Sequence, residues 1–203
     1  VHFRPDPRIP TDETGTRFRT ADRLASPTGL PVLAISEEGR DLAVVFVGDE
    51  RFVLKSPTVL FGEANQRLQS LERLRNRLDD AVERLSLYEI DDIVTMRDAV
   101  KVIQRAALVL RHVEELELIA IELGDEAPLV RLQATDVAEG VGELVDLVNA
   151  DYQPRKPRRG TSVLPRLAEV STEDLYHTAR VGEVLGLVPL DSEVSPRGVR
   201  ALA

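Results

Sequence analysis

Ala64, Leu71, Leu78 and Leu85 recur every seven residues, and Leu68 and Val82 fill the intermediate positions. A seven-residue apolar repeat forms a stripe along one side of a helix, and that stripe must be buried against another helix. Arg67, Glu72, Arg73, Arg77, Asp80 and Glu83 take much of the rest. The pattern therefore predicts one long amphipathic helix over 58–86, packed in a bundle or coiled pair. Thr95 followed by Asp98 resembles a capping box and opens a second helix that ends at Leu123, with Gly124 as a left-handed cap. Apolar residues spread over a wide arc of it, from Val102 and Ile103 to Leu116, Ile119 and Leu123, which predicts a central position. Pro128 suits the first turn of a third helix that runs to Asn149, loosened near Gly140 and Gly142. Ser171 or Thr172 opens a last helix through Leu185, with Gly186 after it.

The residues before this helical run read differently. Pro5, Pro7 and Pro10 oppose regular structure and predict an extended, wrapped lead-in. A short helix follows from Thr20 to about Ser26, with Leu24 and Ala25 inward and Pro27 and Gly29 closing it. The apolar run 31–35 predicts a strand covered on both faces, and 42–47 a second. Gly48 and Asp49 make a hairpin turn into a third strand at 51–54. The fold class is α+β: a partial α/β sheet of about three strands, then an all-helical bundle. Three strands leave an apolar face open, so further strands or another chain are expected to cover it.

Composition narrows the function. At 203 residues the chain can bury one sizeable core or two small ones. It has no cysteine, so neither disulfides nor thiolate metal sites exist, and His2, His112 and His177 have no ligand spacing. No apolar run approaches a membrane span and no leader pattern opens the chain, so the expectation is a cytoplasmic protein with no membrane partner. A net charge of −9 argues against nucleic-acid binding over the whole surface and leaves room for a local basic patch. Residues 153–166 hold five basic residues, three prolines and no acid. They read as a mobile connector, with a nucleic-acid-contacting arm as the functional alternative.

The stretch Asp12–Arg23 carries the candidate chemistry, with three threonines, three arginines and Gly15 just before a helix. Guanidinium forks, hydroxyls and free amides at a helix start are what phosphate binding requires. Arg17 and Arg19 share a side if the backbone there is extended, and Arg23 could join them. The bland alternative is a solvated loop making local salt bridges. Glu37 and Glu38 could ligate a metal, although acidic turn residues usually face water.

Pro5, Asp6, Pro7, Ile9, Pro10 and Thr11, then Glu13–Arg17, Arg19, Thr20 and Ala21, resemble the second signature of the diadenylate cyclase domain. The resemblance is specifically to the DNA-integrity scanning (DisA) cyclase family, where the signature reads Arg-His-Arg; here it reads Arg17-Phe18-Arg19. Further matches lie at Ala64–Gln66, Leu71, Glu72, Thr95, Asp98, Gln104, Arg105 and Glu122–Gly124, similar to the family's helical linker. Val194–Leu202 is similar to the lead into its helix-hairpin-helix DNA-binding domain. The family's other signature, Asp-Gly-Ala, which supplies a metal-binding aspartate, occurs nowhere here. With Val1 in first place, the resemblance suggests a fragment: 1–57 the C-terminal half of a cyclase domain, 58–194 the linker, 195–203 the lead into a third domain.

The resemblance implies a nucleotidyltransferase that joins two ATP into cyclic di-AMP, releasing two pyrophosphates with the help of a Mg or Mn ion. It places Gly15, Thr16, Arg17, Arg19, Thr20 and Ser36 at the ATP phosphates, with Arg17 and Arg19 as the catalytic residues, and names no metal ligand in this chain. It implies DNA as a partner through the further domain, and self-association into a homo-octamer. The 203-residue chain by itself is expected to be inactive. Phe18 cannot donate a hydrogen bond to phosphate, which leaves a second class open: a non-catalytic oligomerisation scaffold or nucleotide sensor.

Overall fold

The computed structural model describes residues 5–36, 42–153 and 162–194. Glu37 and Glu38, the connector residues 154–161 and the tail 195–203 lie outside the described residues. The chain divides into two compact units, Val1–Gly62 and Glu63–Ala203.

In the first unit, helix α1 (Thr16–Thr28) precedes strands β1 (Val32–Ser36), β2 (Leu42–Val47) and β3 (Glu50–Leu54). The strands form an antiparallel meander in the order β1-β2-β3, with Ala34 opposite Val44 and Val44 opposite Val53. Alternation sorts the side chains. Ala34, Val44 and Phe46 pack with Ala21 and Ala25 of α1, and Phe18 and Val32 lean against this core. On the other face Leu33, Ile35, Phe52 and Leu54 stay about half exposed. The expected strand covered on both faces is therefore corrected: one helix covers one face only. The lead-in is wrapped as expected, through Arg23 donating to the Ile9 carbonyl at 2.8 Å and Arg51 meeting Glu13 at 2.5 Å.

Helix α1 starts four residues earlier than expected, and Pro27 lies in its last turn rather than after it. Gly15 explains the start: at φ 89°, ψ 145° it turns the lead-in directly into the helix, a backbone that residues with a Cβ rarely adopt. Gly29 ends α1 in the left-handed conformation at φ 64°.

The second unit is built around α3 (Met96–Leu123), which packs against α4 (Pro128–Ala138), α5 (Val141–Tyr152), α6 (Leu164–Ala168), α7 (Thr172–Leu175) and α8 (Thr178–Leu185). The central position expected of it follows from its burial, with Val102, Ile103, Ala106 and Val109 fully enclosed. Asp98 accepts the Thr95 amide at 3.2 Å and the Thr95 hydroxyl at 2.6 Å, so the predicted cap forms. Gly124 has the positive φ expected of it, but at ψ −122° it lies outside the left-handed helical basin and leads into a short 3₁₀ turn. Helix α2 (Pro57–Ile90) buries Ala64, Leu68, Leu71, Leu78 and Leu85 of the predicted seam, and leaves Val82 only partly buried. Arg75 of α2 donates to the carbonyls of Val137 and Glu139 at the end of α4, where the helix dipole favours a cation.

Two expected helices are broken. The third divides at Gly140, whose φ of 72° stops α4 and starts α5. The last divides into α7 and α8, with Ser171 accepting the Asp174 amide as the cap of α7 and His177 extended before α8. One buried polar pair fixes this end: Gln104 donates to the Leu175 carbonyl and accepts from Thr178, both at 2.8 Å. Such a pair is satisfied on both sides and so holds register without an orphaned group.

Near the end of α2, the Tyr152 hydroxyl donates to Glu89 at 2.5 Å. Burial, then the Glu89 carboxylate, push the Tyr152 hydroxyl far above its usual range. Burial and Glu89 also raise the neighbouring Asp151 carboxyl. A raised acid favours its protonated form in the fold, so ionised Asp151 opposes folding at neutral pH and the opposition fades as pH falls through its folded value. Asp151→Asn is therefore expected to raise the melting temperature at pH 7, with the gain shrinking toward pH 4. A gain that is the same at both pH values would show that the ionised Asp151 carboxylate is not the cause.

Candidate functional site

A groove of about 390 Å³ runs between the first half of α1 and strand β1. Thr16, Thr20 and Leu24 line it at successive turns of the helix, with Arg17 beside them and Val32–Ile35 as the apolar wall. The Arg17 guanidinium donates to the Ile35 carbonyl at 3.2 Å, which steers the cation along the strand. The Thr20 hydroxyl donates to the Thr16 carbonyl at 2.7 Å, so it must release that bond before it can donate to a bound oxygen. The first-turn amides of α1 have no intrahelical acceptor, and the dipole makes that end attractive to anions.

The structure brings Thr16, Arg17 and Thr20 together and separates them from Arg19. Because α1 already includes both arginines, their spacing of two places them about 200° apart around the helix, where an extended strand would have aligned them. Arg19 is exposed and does not line the groove. Arg23 does not join the cluster either, since it holds the lead-in at Ile9. Gly15 shapes the helix start. Ser36 ends β1 half buried, one residue beyond the groove wall. Phe18 turns inward against the core of Ala21, Ala25 and Phe46. The sequence reasoning missed the apolar wall as part of the site, although the run 31–35 was its visible signal.

A divalent metal finds no ligand set among the described residues, where no three His, Cys, Asp or Glu side chains are grouped to hold one. Likewise, no helix among the described residues is long and apolar enough to cross a membrane.

A family profile described as the DisA bacterial checkpoint controller linker region matches residues 54–193. The chain is also similar over its whole length to proteins named DNA integrity scanning protein DisA. Identity is 40% to that of Parafrankia sp., 42% to that of Acidothermus cellulolyticus and 42% to that of Kineococcus radiotolerans. It spans 58%, 57% and 58% of the length of those three relatives. With most of its helical unit inside the linker match and its entire length aligned to these proteins, the chain belongs to the DisA family.

Proposed function

We propose that this chain is part of a diadenylate cyclase of the DisA type. When complete, such an enzyme condenses two ATP to cyclic di-AMP and two pyrophosphates, coupled to sensing of DNA structure in the cytoplasm. The observation that carries the reading is the α1–β1 groove, where hydroxyls, one guanidinium and a helix start stand beside an apolar wall. The polar side suits a triphosphate and the wall suits a base. Each 3′-hydroxyl attacks the α-phosphate of the facing nucleotide, so two such grooves must face each other. Positioning and charge neutralisation then supply most of the rate. A Mg or Mn ion would add to that neutralisation. The described residues of this chain offer no ligand set for one.

Self-association, up to a homo-octamer, belongs to the same reading. The open sheet face and the exposed Leu118, Leu129, Leu132 and Leu147 support it, since water-exposed apolar surface of that kind favours assembly. DNA enters as the partner of the complete protein.

Titration of a non-hydrolysable ATP analogue into the chain tests the groove. Arg17→Ala removes a charged hydrogen bond worth about 1.5–3 kcal/mol and is expected to weaken binding roughly ten- to a hundred-fold. Equal affinity for both proteins would move the nucleotide elsewhere. A second reading, a non-catalytic scaffold or nucleotide sensor, draws on Phe18, which packs partly buried against the core where the family signature carries a histidine. Binding of the analogue without formation of cyclic di-AMP in the full-length protein would favour it.

A further inference from the structure

Arg51 on β3 stands directly opposite Phe46 across the β2–β3 pairing. Residues directly opposite in neighbouring strands share one face of a sheet, and Phe46 is buried against α1. Arg51 therefore projects on the α1 side, where its Nε meets the Glu13 carboxylate at 2.5 Å. Glu13 is the better buried partner, its side chain 16% exposed against 46% for Arg51. The Glu13 amide also donates to the Thr11 hydroxyl at 3.2 Å, so this residue is held through both backbone and side chain. Gly15 follows two positions later and, at φ 89°, turns the chain into α1. Thr16 and Arg17 of the groove come next. Farther along, the Ser26 hydroxyl donates to Asp49 and Arg23 to the Ile9 carbonyl, both at 2.8 Å, which ties the rest of α1 to its surroundings.

We propose that Arg51 is a positioning residue for the nucleotide groove. By clamping Glu13 to β3 it fixes where the first turn of α1 presents its amides, Thr16 and Arg17. This role rests on the reading of the α1–β1 groove as a nucleotide site. Arg51 itself does not line the groove and lies outside the arginine-rich stretch before it. The link is needed because Gly15 has the widest backbone freedom in the connection and cannot hold the helix start by itself. Donors that are already fixed bind an anion more tightly than donors that must first be ordered. The pairing also neutralises an acid that would otherwise stand just ahead of an anion site. An ion pair with one exposed partner contributes little to stability, so its loss should appear in nucleotide binding rather than in melting.

Titration of a non-hydrolysable ATP analogue into the 203-residue chain and its variants tests the clamp. Arg51→Ala is expected to weaken binding about five-fold with little change in melting temperature. Arg51→Lys keeps a cation at the same place and should recover most of the affinity. Glu13→Ala should weaken binding to a similar degree, and the double variant no further than either single one, because the same link is broken once. Without any nucleotide, the amide resonances of Gly15, Thr16 and Arg17 should move in Arg51→Ala, which keeps the test decisive if Glu13→Ala misfolds. Arg17→Ala in the same titration separates the clamp from the groove. A loss there with wild-type affinity in Arg51→Ala overturns the clamp and leaves the groove standing. Wild-type affinity in both overturns the groove and the clamp with it. Unmoved resonances, or losses in the two single variants that simply add, would also overturn the clamp.

Discussion

Ile103→Ala is expected to lower the unfolding free energy by about 2–5 kcal/mol, while Ile121→Ala on the same helix shifts it by about 0.5 kcal/mol or less. The residue type and the substitution are identical; only the surroundings differ. Ile103 is 0% exposed, on the part of α3 enclosed by the other helices, whereas Ile121 is 62% exposed two residues before the helix ends. Truncation at 103 removes buried methyl groups and leaves a cavity in a helix pinned on both sides, which cannot collapse to refill it. At 121 the gain in helix propensity from alanine offsets most of the small packing loss. Denaturant titration with unchanged slopes checks both values. Equal losses that grow with dilution would sink the contrast and place Ile121 in a subunit interface.

The second large effect belongs to Gly182 in α8. A Cβ there would stand 2.9 Å from Leu190 Cδ2 and 3.2 Å from the Leu187 carbonyl oxygen. The Leu190 side chain can yield, but the Leu187 backbone is held, because its amide donates to the Gly182 carbonyl at 2.9 Å. Leu187 itself is fully buried. The segment that follows closes the start of α3. The Met96 amide donates to Ser192, the Arg97 amide to Leu190 and the Val194 amide to Val94, all within 2.8–2.9 Å, while Arg97 and Asp191 pair at 2.7 Å. The Met96 and Arg97 amides belong to the first turn, which the helix cannot satisfy internally. Gly182→Ala is thus expected to cost about 1–3 kcal/mol despite alanine's better helix propensity. It should also speed amide exchange at Met96 and Arg97 ahead of the rest of α3. Unchanged exchange there would show that Leu190 swings aside without lifting the segment.

Parts of this architecture were legible in the residues alone. The seven-residue repeat of α2 appears as the buried Leu71, Leu78 and Leu85, and Thr95 and Asp98 pair as their spacing implies. Gly29 and Gly186 sit in the left-handed conformation at helix ends, where a missing Cβ is the local requirement. Each of these depends on groups within about two turns of one another, so sequence spacing carries the information directly. Thr16, Arg17 and Thr20 were legible as a cluster on the same ground.

Arg19 was not, because a spacing of two means the same side in a strand and nearly opposite sides in a helix, and Gly15 settles which applies. The run 31–35 announced a strand but not its environment; that Ala34 is buried while Leu33 and Ile35 face outward follows from a single covering helix, α1. The division of the last helix at Tyr176 and His177 reflects Gln104, more than seventy residues away, bonding the Leu175 carbonyl and Thr178. Periodicity and capping were therefore written into the chain by itself. Which faces are covered, which arginines meet and what closes α3 were decided by tertiary structure, because those energies arise between segments whose distance in sequence holds no record of their contact.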